Sequence, residues 1–382
     1  MTASCAPTAH SPLLRKVVPG PRMLARLDAI VVPSGRSASR CEHAAELARE
    51  LDCVLLVLAS RDSLGTEIRA AIGQHDRGNQ YIVDVPPDLG ERLPQLATTD
   101  LLAGEGFHRK TDVSAKRNLG LALTYMARLG RILFLDDDIR IPETADLRRA
   151  AWLLRTHDAV GMRVEGYPDN SVVCHANRET GGRQGTFVGA GALAVGSDRV
   201  NSFFPEIYNE DWFFLLDHST LLPVAVTGVA VQDRFDPFDD PDRARGQEFG
   251  DLLAEGLFAI LDRGGRIRHA DIAYWRWFIE QRRRFIDGIL ERLELNAMPG
   301  SEQIAAALLA ARGQLDEHVS PELCRHYLDA WRHDLGTWAT FRANLPLGLP
   351  IGSAAELFDL PVSTSAFGGG FEREGTHAWL PW

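Results

Sequence analysis

Short apolar runs alternate with segments of helical spacing through the first 140 residues of this chain. The runs end at Gly, Pro, Ser or acidic residues, which is typical of strands buried on both faces. A strand, helix, strand order of this kind predicts an α/β fold with a mainly parallel sheet. The predicted strands cover residues 27–32, 53–58, 81–85 and 131–135, and the predicted helices cover residues 39–51, 64–72 and 114–129.

The last of these strands delivers three consecutive carboxylates, Asp136, Asp137 and Asp138, to its end. Adjacent carboxylates repel one another and lose hydration on burial, so a bound cation stabilises them. Side chains alternate along a strand, which predicts that Asp136 and Asp138 share one face while Asp137 points away, toward a helix N-terminus or a basic partner. Ligands of open α/β sheets bind at this end of the strands. We therefore predict a divalent-metal site here in preference to a solvated acidic turn.

The rest of the chain has a different pattern. A segment rich in Pro, Ser, Ala and Thr predicts a flexible N-terminal arm over residues 1–25. After residue 150 the pattern predicts short strands and then a helical C-terminal region, which ends in a Gly-rich, aromatic tail over residues 367–382. The predicted strands are residues 158–164, 171–175 and 186–195, and the predicted helices are residues 247–262, 274–295 and 304–344.

Composition excludes some classes of function. The formal net charge of -11 over 382 residues argues against nucleic-acid or anionic-membrane binding, since both depend on basic patches. The five cysteines show no metal-ligand spacing and no secretory signal precedes them, which predicts a cytoplasmic protein. No apolar segment approaches the roughly 20 residues that a transmembrane helix needs. The oligomeric state is left open.

Four motifs occur in the order and spacing of one enzyme family. They are Val32-Pro33-Ser34 with Arg36, Lys116-Arg117-Asn118-x-Gly120, Leu135-Asp136-Asp137-Asp138, and Gly189-x-Gly191 followed by Asn209-Glu210-Asp211-Trp212. On these motifs the chain resembles the GT-A fold glycosyltransferases, most closely the large inverting bacterial group. The resemblance implies a GT-A catalytic domain over residues 26–240, with a nucleotide-sugar half at 26–140 and an acceptor half at 141–240, and a helical region over residues 241–382.

The resemblance also implies a nucleotide-diphosphate sugar donor, a small-molecule or glycan acceptor, and Mn²⁺ or Mg²⁺ as cofactor. It assigns the metal to Asp138, and the ribose or the metal's second sphere to Asp136. A metal held by a carboxylate neutralises the charge that develops on a diphosphate leaving group. In this family a His or Asp from the C-terminal region often completes the metal site, which makes His269 and His377 candidates, although a lone histidine is more often structural.

Glu210 and Asp211 form the second acidic site. Transfer with inversion needs a general base opposite the leaving group, and the family places this role on the second acid of such a pair. Asp211 is therefore the candidate base, and Glu210 would orient an acceptor hydroxyl. The alternative is that both acids only cap the helix that they open.

Further donor contacts follow from the resemblance. Pro33, Ser34 and Arg36 match the loop that passes the nucleotide base and ribose, whereas Arg117 and Asn118 open a helix near the same pocket. The acid that usually reads uracil is absent after the second strand; Asp62 would replace it with a shift in register, so the base stays open. The basic run Gln281-Arg282-Arg283-Arg284 is interpreted as an exposed helix face, near phosphate.

Three other functions remain open. A retaining glycosyltransferase of the same fold would share the metal motif and differ in the use of Asp211. A nucleotidyltransferase is disfavoured because its usual Gly-rich first loop with a following Lys is absent. A non-catalytic nucleotide-sugar-binding relative would not require Asp136, Asp138 and Asp211 together. The tail over residues 367–382 is predicted either to close over the donor as a lid or to pack permanently on the helical region.

Overall fold

The computed structural model describes residues 10–364 of the chain, except 11–12, 18–19, 21–22, 74–77, 108–110, 168–170, 184, 186 and 297. Cys5, His377 and the Gly-rich aromatic tail therefore lie outside the described residues, as does the predicted lid. No helix in the described ranges is both long and apolar enough to cross a membrane.

The N-terminal half has the predicted alternation, close to the predicted bounds. Its elements are β1 (Arg15–Lys16), β2 (Ala29–Ser34), α1 (Glu42–Leu51), β3 (Val54–Ala59), α2 (Gly65–Ile72), β4 (Gln80–Asp84), α3 (Leu89–Arg92), α4 (Ala97–Gly104), α5 (Val113–Met126) and β5 (Arg131–Leu135). Several boundaries differ by a few residues, and β2 continues through Pro33, where a break was expected. Proline is tolerated there since the ladder from β2 to β5 ends at Val31.

The second half adds β6 (Ile139–Arg140), α6 (Thr144–Leu153), β7 (Ala159–Gly166), α7 (Val172–Glu179), β8 (Ala192–Gly196), α8 (Glu210–Phe214) and β9 (Val224–Gln232). Residues 171–175 were predicted as a strand, and this is wrong. Ser171 caps a helix instead, because its hydroxyl accepts the backbone N–H of Cys174. The strand predicted over residues 186–195 is shorter, and β9 was not predicted at all.

These strands form one sheet in the described part of the chain, in the order β1-β9-β7-β8-β5-β2-β3-β4, with β6 paired to β9. β2, β3, β4 and β5 are parallel, and β8 runs antiparallel to both β5 and β7. β7 and β9 therefore run in the direction of β5. The carboxyl ends of six strands, β2 to β5, β7 and β9, and the beginning of β8 meet at one edge of the sheet, which is where ligands of such sheets bind.

Both terminal segments contribute to the sheet. β1 pairs with β9 at one side, and β10 (Val362–Thr364) pairs antiparallel with β4 at the other. The described part of the N-terminal arm, which was predicted to be flexible, is thus attached to the sheet. His10 is almost completely buried and contacts Glu255 and Asp262 through its two ring nitrogens. Pairing covers the exposed hydrogen-bonding groups of the sheet edges.

The C-terminal region is helical, as predicted, with α9 (Pro241–Asp262), α10 (Ile272–Leu295), α11 (Ser301–Glu317), α12 (Pro321–Ala343) and α13 (Ile351–Glu356). The helix predicted over residues 304–344 is divided, because Ser320 and Pro321 begin a new helix. This region is joined to the sheet half by polar contacts. Asp334 accepts the backbone N–H groups of Ala97 and Thr98, each at 2.8 Å, and so caps α4.

The core lies on both faces of the sheet. Alternate residues of β2 contribute to opposite faces, with Val31 on one side and Ile30 and Val32 on the other. The amphipathic pattern predicted for α5 is incomplete, since this helix is buried on almost every side. Its buried residues include three polar side chains that project toward the ligand-binding edge or the loops beside it: Lys116, Arg117 and Asn118.

Candidate functional site

The three acids form a turn that links β5 to β6. β5 ends at Leu135, the Asp136 N–H donates to the carbonyl of Gly191, and the Ile139 N–H donates to the carbonyl of Asp136. Strand alternation therefore stops before the acids. Asp137 has a basic partner, as expected, but it does not point away from Asp138, because both carboxylates contact the same arginine.

That arginine is Arg36, in the loop after β2. Its Nη1 lies 2.6 Å from Asp137 Oδ1 and 2.8 Å from Asp138 Oδ2, and its side chain is 55% exposed. Burial and the charge of Asp136 raise the pKa of Asp138, and Arg36 offsets this only in part. The acidic turn therefore holds more negative charge than its exposed arginine compensates.

This donor set fits a hard divalent cation. Carboxylate oxygens are the ligands that Mg²⁺ and Mn²⁺ prefer, and burial together with the like charge of Asp136 raises the pKa of Asp138. Asp138 and Asp136 are the residues that would hold the ion. Asp137 is less suited, since its carboxylate is 5% exposed and accepts from the hydroxyl of Ser34 as well as from Arg36.

A buried arginine connects the acidic turn to the second acidic site. Arg117 is 3% exposed, and its Nη2 donates to both carboxylate oxygens of Asp136, at 2.8 and 2.9 Å. Its Nη1 donates to Glu210 Oε1 at 2.5 Å. Arg117 is therefore a buried charge and not a surface one. Asp136 and Glu210, which are far apart in sequence, share one guanidinium.

Asp211 lies beside this network at the start of α8. Its Oδ2 accepts the N–H of Ala190 and its Oδ1 accepts the N–H of Trp212, each at 2.9 Å. Burial, followed by the charge of Glu210, raises the pKa of Asp211 to about 6, against the opposing charge of Arg117. A carboxylate with this pKa is ionised at neutral pH and is a stronger base than an ordinary aspartate.

The two glycines of Gly189-x-Gly191 lie against the two acidic sites. A Cβ at Gly189 would be 3.0 Å from Asp211 Oδ2, and a Cβ at Gly191 would be 3.3 Å from Asp136 Oδ2. Small residues here allow the loop before β8 to pass close to both carboxylates. The close approach that these glycines permit is thus to acidic side chains.

Lys116 lies at this edge of the sheet as well. The sequence placed it in a motif but predicted no role for it. It is 2% exposed, and its Nζ lies 2.7 Å from the carbonyl of Ser34 and 3.1 Å from Asp112 Oδ1. Burial lowers the pKa of Lys116, although Asp112 opposes this shift. Ser34 is buried and its hydroxyl is shared with Ser63 and Asp137, and Pro33 is buried in β2.

Three predicted residues have other surroundings. Asn118 exchanges two hydrogen bonds, each of 2.8 Å, with the backbone of Phe204, which is a structural role. Asp62 is exposed in the turn after β3. His269 is exposed and its Nδ1 accepts the N–H of Arg266, closing a short 3-10 turn over residues 267–269. None of their contacts in the described ranges joins them to the acidic turn.

A second group of potential metal ligands lies in the interior, where Cys174, Asp251 and Glu255 are all buried. Its charge already has a partner, because Arg282 Nη2 lies 2.5 Å from Asp251 Oδ2 and Arg282 also pairs with Glu248. The interpretation of residues 281–284 as an exposed basic face is therefore wrong for Arg282. The acidic turn is the better candidate for a metal.

No family model and no curated protein matches this chain. Among solved structures, it is similar to a mannosyltransferase, PcManGT, from Pyrobaculum calidifontis in complex with GDP-mannose and Mn²⁺. The two chains are 16% identical, the TM-score is 0.42, and the similarity covers 90% of each chain. The chemistry of the site follows from its own side chains.

Proposed function

We propose that this chain is a metal-dependent glycosyltransferase that moves a sugar from a nucleotide-diphosphate donor to a hydroxyl-bearing acceptor. One observation carries the proposal. The buried guanidinium of Arg117 pairs with both Asp136 and Glu210. One network of charges therefore contains an acid of the proposed metal site and the neighbour of the proposed base. A metal site alone, or a helix cap alone, would not require this connection.

The acidic turn and its basic neighbours supply the donor side. Asp138 and Asp136 would hold Mn²⁺ or Mg²⁺, and the ion would neutralise charge on the diphosphate. Arg36 is exposed and close enough to the turn to bind a phosphate oxygen when a cation takes its place. Pro33 and Ser34 remain proposed donor contacts through the loop that they begin.

Asp211 supplies the base. In the proposed step the acceptor hydroxyl oxygen bonds to the anomeric carbon, the bond from that carbon to the diphosphate breaks, and the hydroxyl proton passes to Asp211. Its raised pKa of about 6 suits a base that works near neutral pH. A single displacement of this kind inverts the anomeric centre, which we propose together with the GT-A fold and the catalytic domain over residues 26–240.

Calorimetry of nucleotide diphosphates tests the donor assignment. UDP and GDP are titrated into the wild type and into Asp138→Asn, with Mn²⁺ and with EDTA. We expect tight binding of one of them only to the wild type with Mn²⁺. Equal affinity in all four conditions would exclude the metal site. The anomeric configuration of the product, read by NMR, then separates inversion from retention.

A further inference from the structure

A cavity of about 760 Å³ opens at the carboxyl ends of β7 and β9. Tyr167 follows β7, and Arg234, Phe235 and Asp236 follow β9. The rest of the lining comes from Glu179 of α7, from Met298 to Gly300 in the loop before α11, and from Gln303 and Ile304 of α11. Among the described residues, none of those assigned above to the donor or to catalysis lines this cavity.

The cavity lies next to the acidic turn. Asp233, which precedes Arg234 in the chain, donates its N–H to the carbonyl of Asp138 at 3.0 Å. The preceding residue, Gln232 of β9, pairs with Ile139 of β6, which directly follows the three acids in the chain. The β9 side of the cavity is therefore joined to the acidic turn by backbone hydrogen bonds.

Aromatic rings form a fixed apolar surface in the cavity. Tyr167 stacks on His175, with ring centroids 4.8 Å apart and planes 12° apart, and Phe235 stands at 89° to Tyr167 and 88° to His175. His175 is fully buried, and burial with the nearby charge of Arg178 lowers its pKa to about 4. It is thus uncharged at neutral pH, and its ring stacks against the Tyr167 ring from the buried side.

The charged groups of the cavity are mostly carboxylates, which accept hydrogen bonds. Glu179 and Asp236 are exposed carboxylates, and a third lining carboxylate, Asp239, pairs with Arg243 at 2.8 Å. One lining guanidinium, that of Arg234, lies 5.8 Å from the Tyr167 ring centroid. An acyl chain would leave the carboxylates facing apolar groups, and a phosphate or carboxylate would face an excess of like charge.

We propose that this cavity binds the acceptor, and that the acceptor is a saccharide that carries no phosphate or carboxylate. Saccharides combine an apolar C–H face, which packs on aromatic rings, with hydroxyl groups that donate to carboxylates. That the bound saccharide is the acceptor rests on the proposed function. The preference for uncharged or amine-bearing saccharides rests on the side chains that line the cavity.

A glycan array that includes uncharged, amine-bearing, uronate, sulfate and phosphate members tests the inference. We expect the wild type to bind uncharged or amine-bearing saccharides. Tyr167→Ala should weaken binding at least about tenfold, the loss typical of a central aromatic contact, whereas Tyr167→Phe should retain it. Glu179→Gln, at an exposed position, should also weaken binding, and Glu67→Gln on α2 should not.

Three results would overturn the inference: binding to no glycan, preference for anionic glycans, or equal binding by the wild type, Tyr167→Ala and Glu179→Gln. Diphosphate affinity with Mn²⁺ is measured on the same preparations and should not change. Absence of glycan binding by the wild type, with intact diphosphate binding, rejects the cavity assignment alone. Glycan binding without any diphosphate binding rejects the proposed function and leaves the cavity a saccharide site.

Discussion

Arg36 Nη1 lies 2.8 Å from Asp138 Oδ2, on the carboxylate that we assign to the metal. An exposed guanidinium and a divalent cation are thus alternative partners of the same oxygen. Because the charge of Arg36 would be released when the cation binds, the metal and the diphosphate should bind cooperatively.

Arg36→Ala separates these two effects. Without nucleotide, Mn²⁺ affinity should rise about two- to fivefold, since breaking an exposed ion pair costs about 0.5–1 kcal/mol. Diphosphate affinity in the presence of Mn²⁺ should fall. Arg40→Ala is the matched control, because Arg40 is an exposed arginine paired with Asp233, outside the turn. Calorimetry checks both titrations, and unchanged Mn²⁺ affinity in Arg36→Ala would reject the competition.

Asp211→Asn should lower turnover by about 10²-fold or more, because the amide cannot take the acceptor proton. Diphosphate affinity should change little. In the wild type, kcat/KM should fall as the pH decreases through about 6, where Asp211 becomes protonated, and this dependence should be absent from the residual activity of the variant. Near-normal turnover in Asp211→Asn would favour the helix-capping role instead.

Arg117→Met should destabilise the fold by about 3–5 kcal/mol, the usual cost of leaving buried charges without their partner. Both Asp136 and Glu210 lose their guanidinium in this variant. Urea unfolding followed by circular dichroism measures the loss. Arg36→Ala provides the comparison, with an expected change of about 1 kcal/mol or less. Similar losses in the two variants would contradict the buried network.

The N-terminal arm should make stability depend on pH. The carboxylates of Glu255 and Asp262 raise the pKa of His10 above its usual value, although burial, the largest influence, lowers it. The added stability is complete below the unfolded-state pKa of about 6.5 and is lost as the pH rises through the folded-state pKa. Unfolding free energies from pH 6 to 9 should fall more steeply for the wild type than for His10→Gln, and parallel curves would show that His10 contributes nothing.

Local sequence patterns predicted much of the fold, but they failed where contacts with other elements determine the secondary structure. The strands and helices of the first 140 residues follow from apolar periodicity. The segment from Ser171 to His175 is too short for periodicity to separate a strand from a helix, and it became helical because Ser171 caps it and contacts Asp251 in α9. β9 was missed although its run of Val and Ala residues is typical of a buried strand.

The sequence by itself determined that three acids end a buried strand at the ligand-binding edge and that Glu210 and Asp211 precede a short helix, because both are properties of neighbouring residues. Only the tertiary structure decided which charges neutralise them. Arg117 reaches Glu210 across 93 positions, and Arg282 is buried with Glu248 and Asp251 rather than exposed. Spacing along a chain records which side chains share an element, whereas the partner of a buried charge depends on elements that meet only when the core has formed.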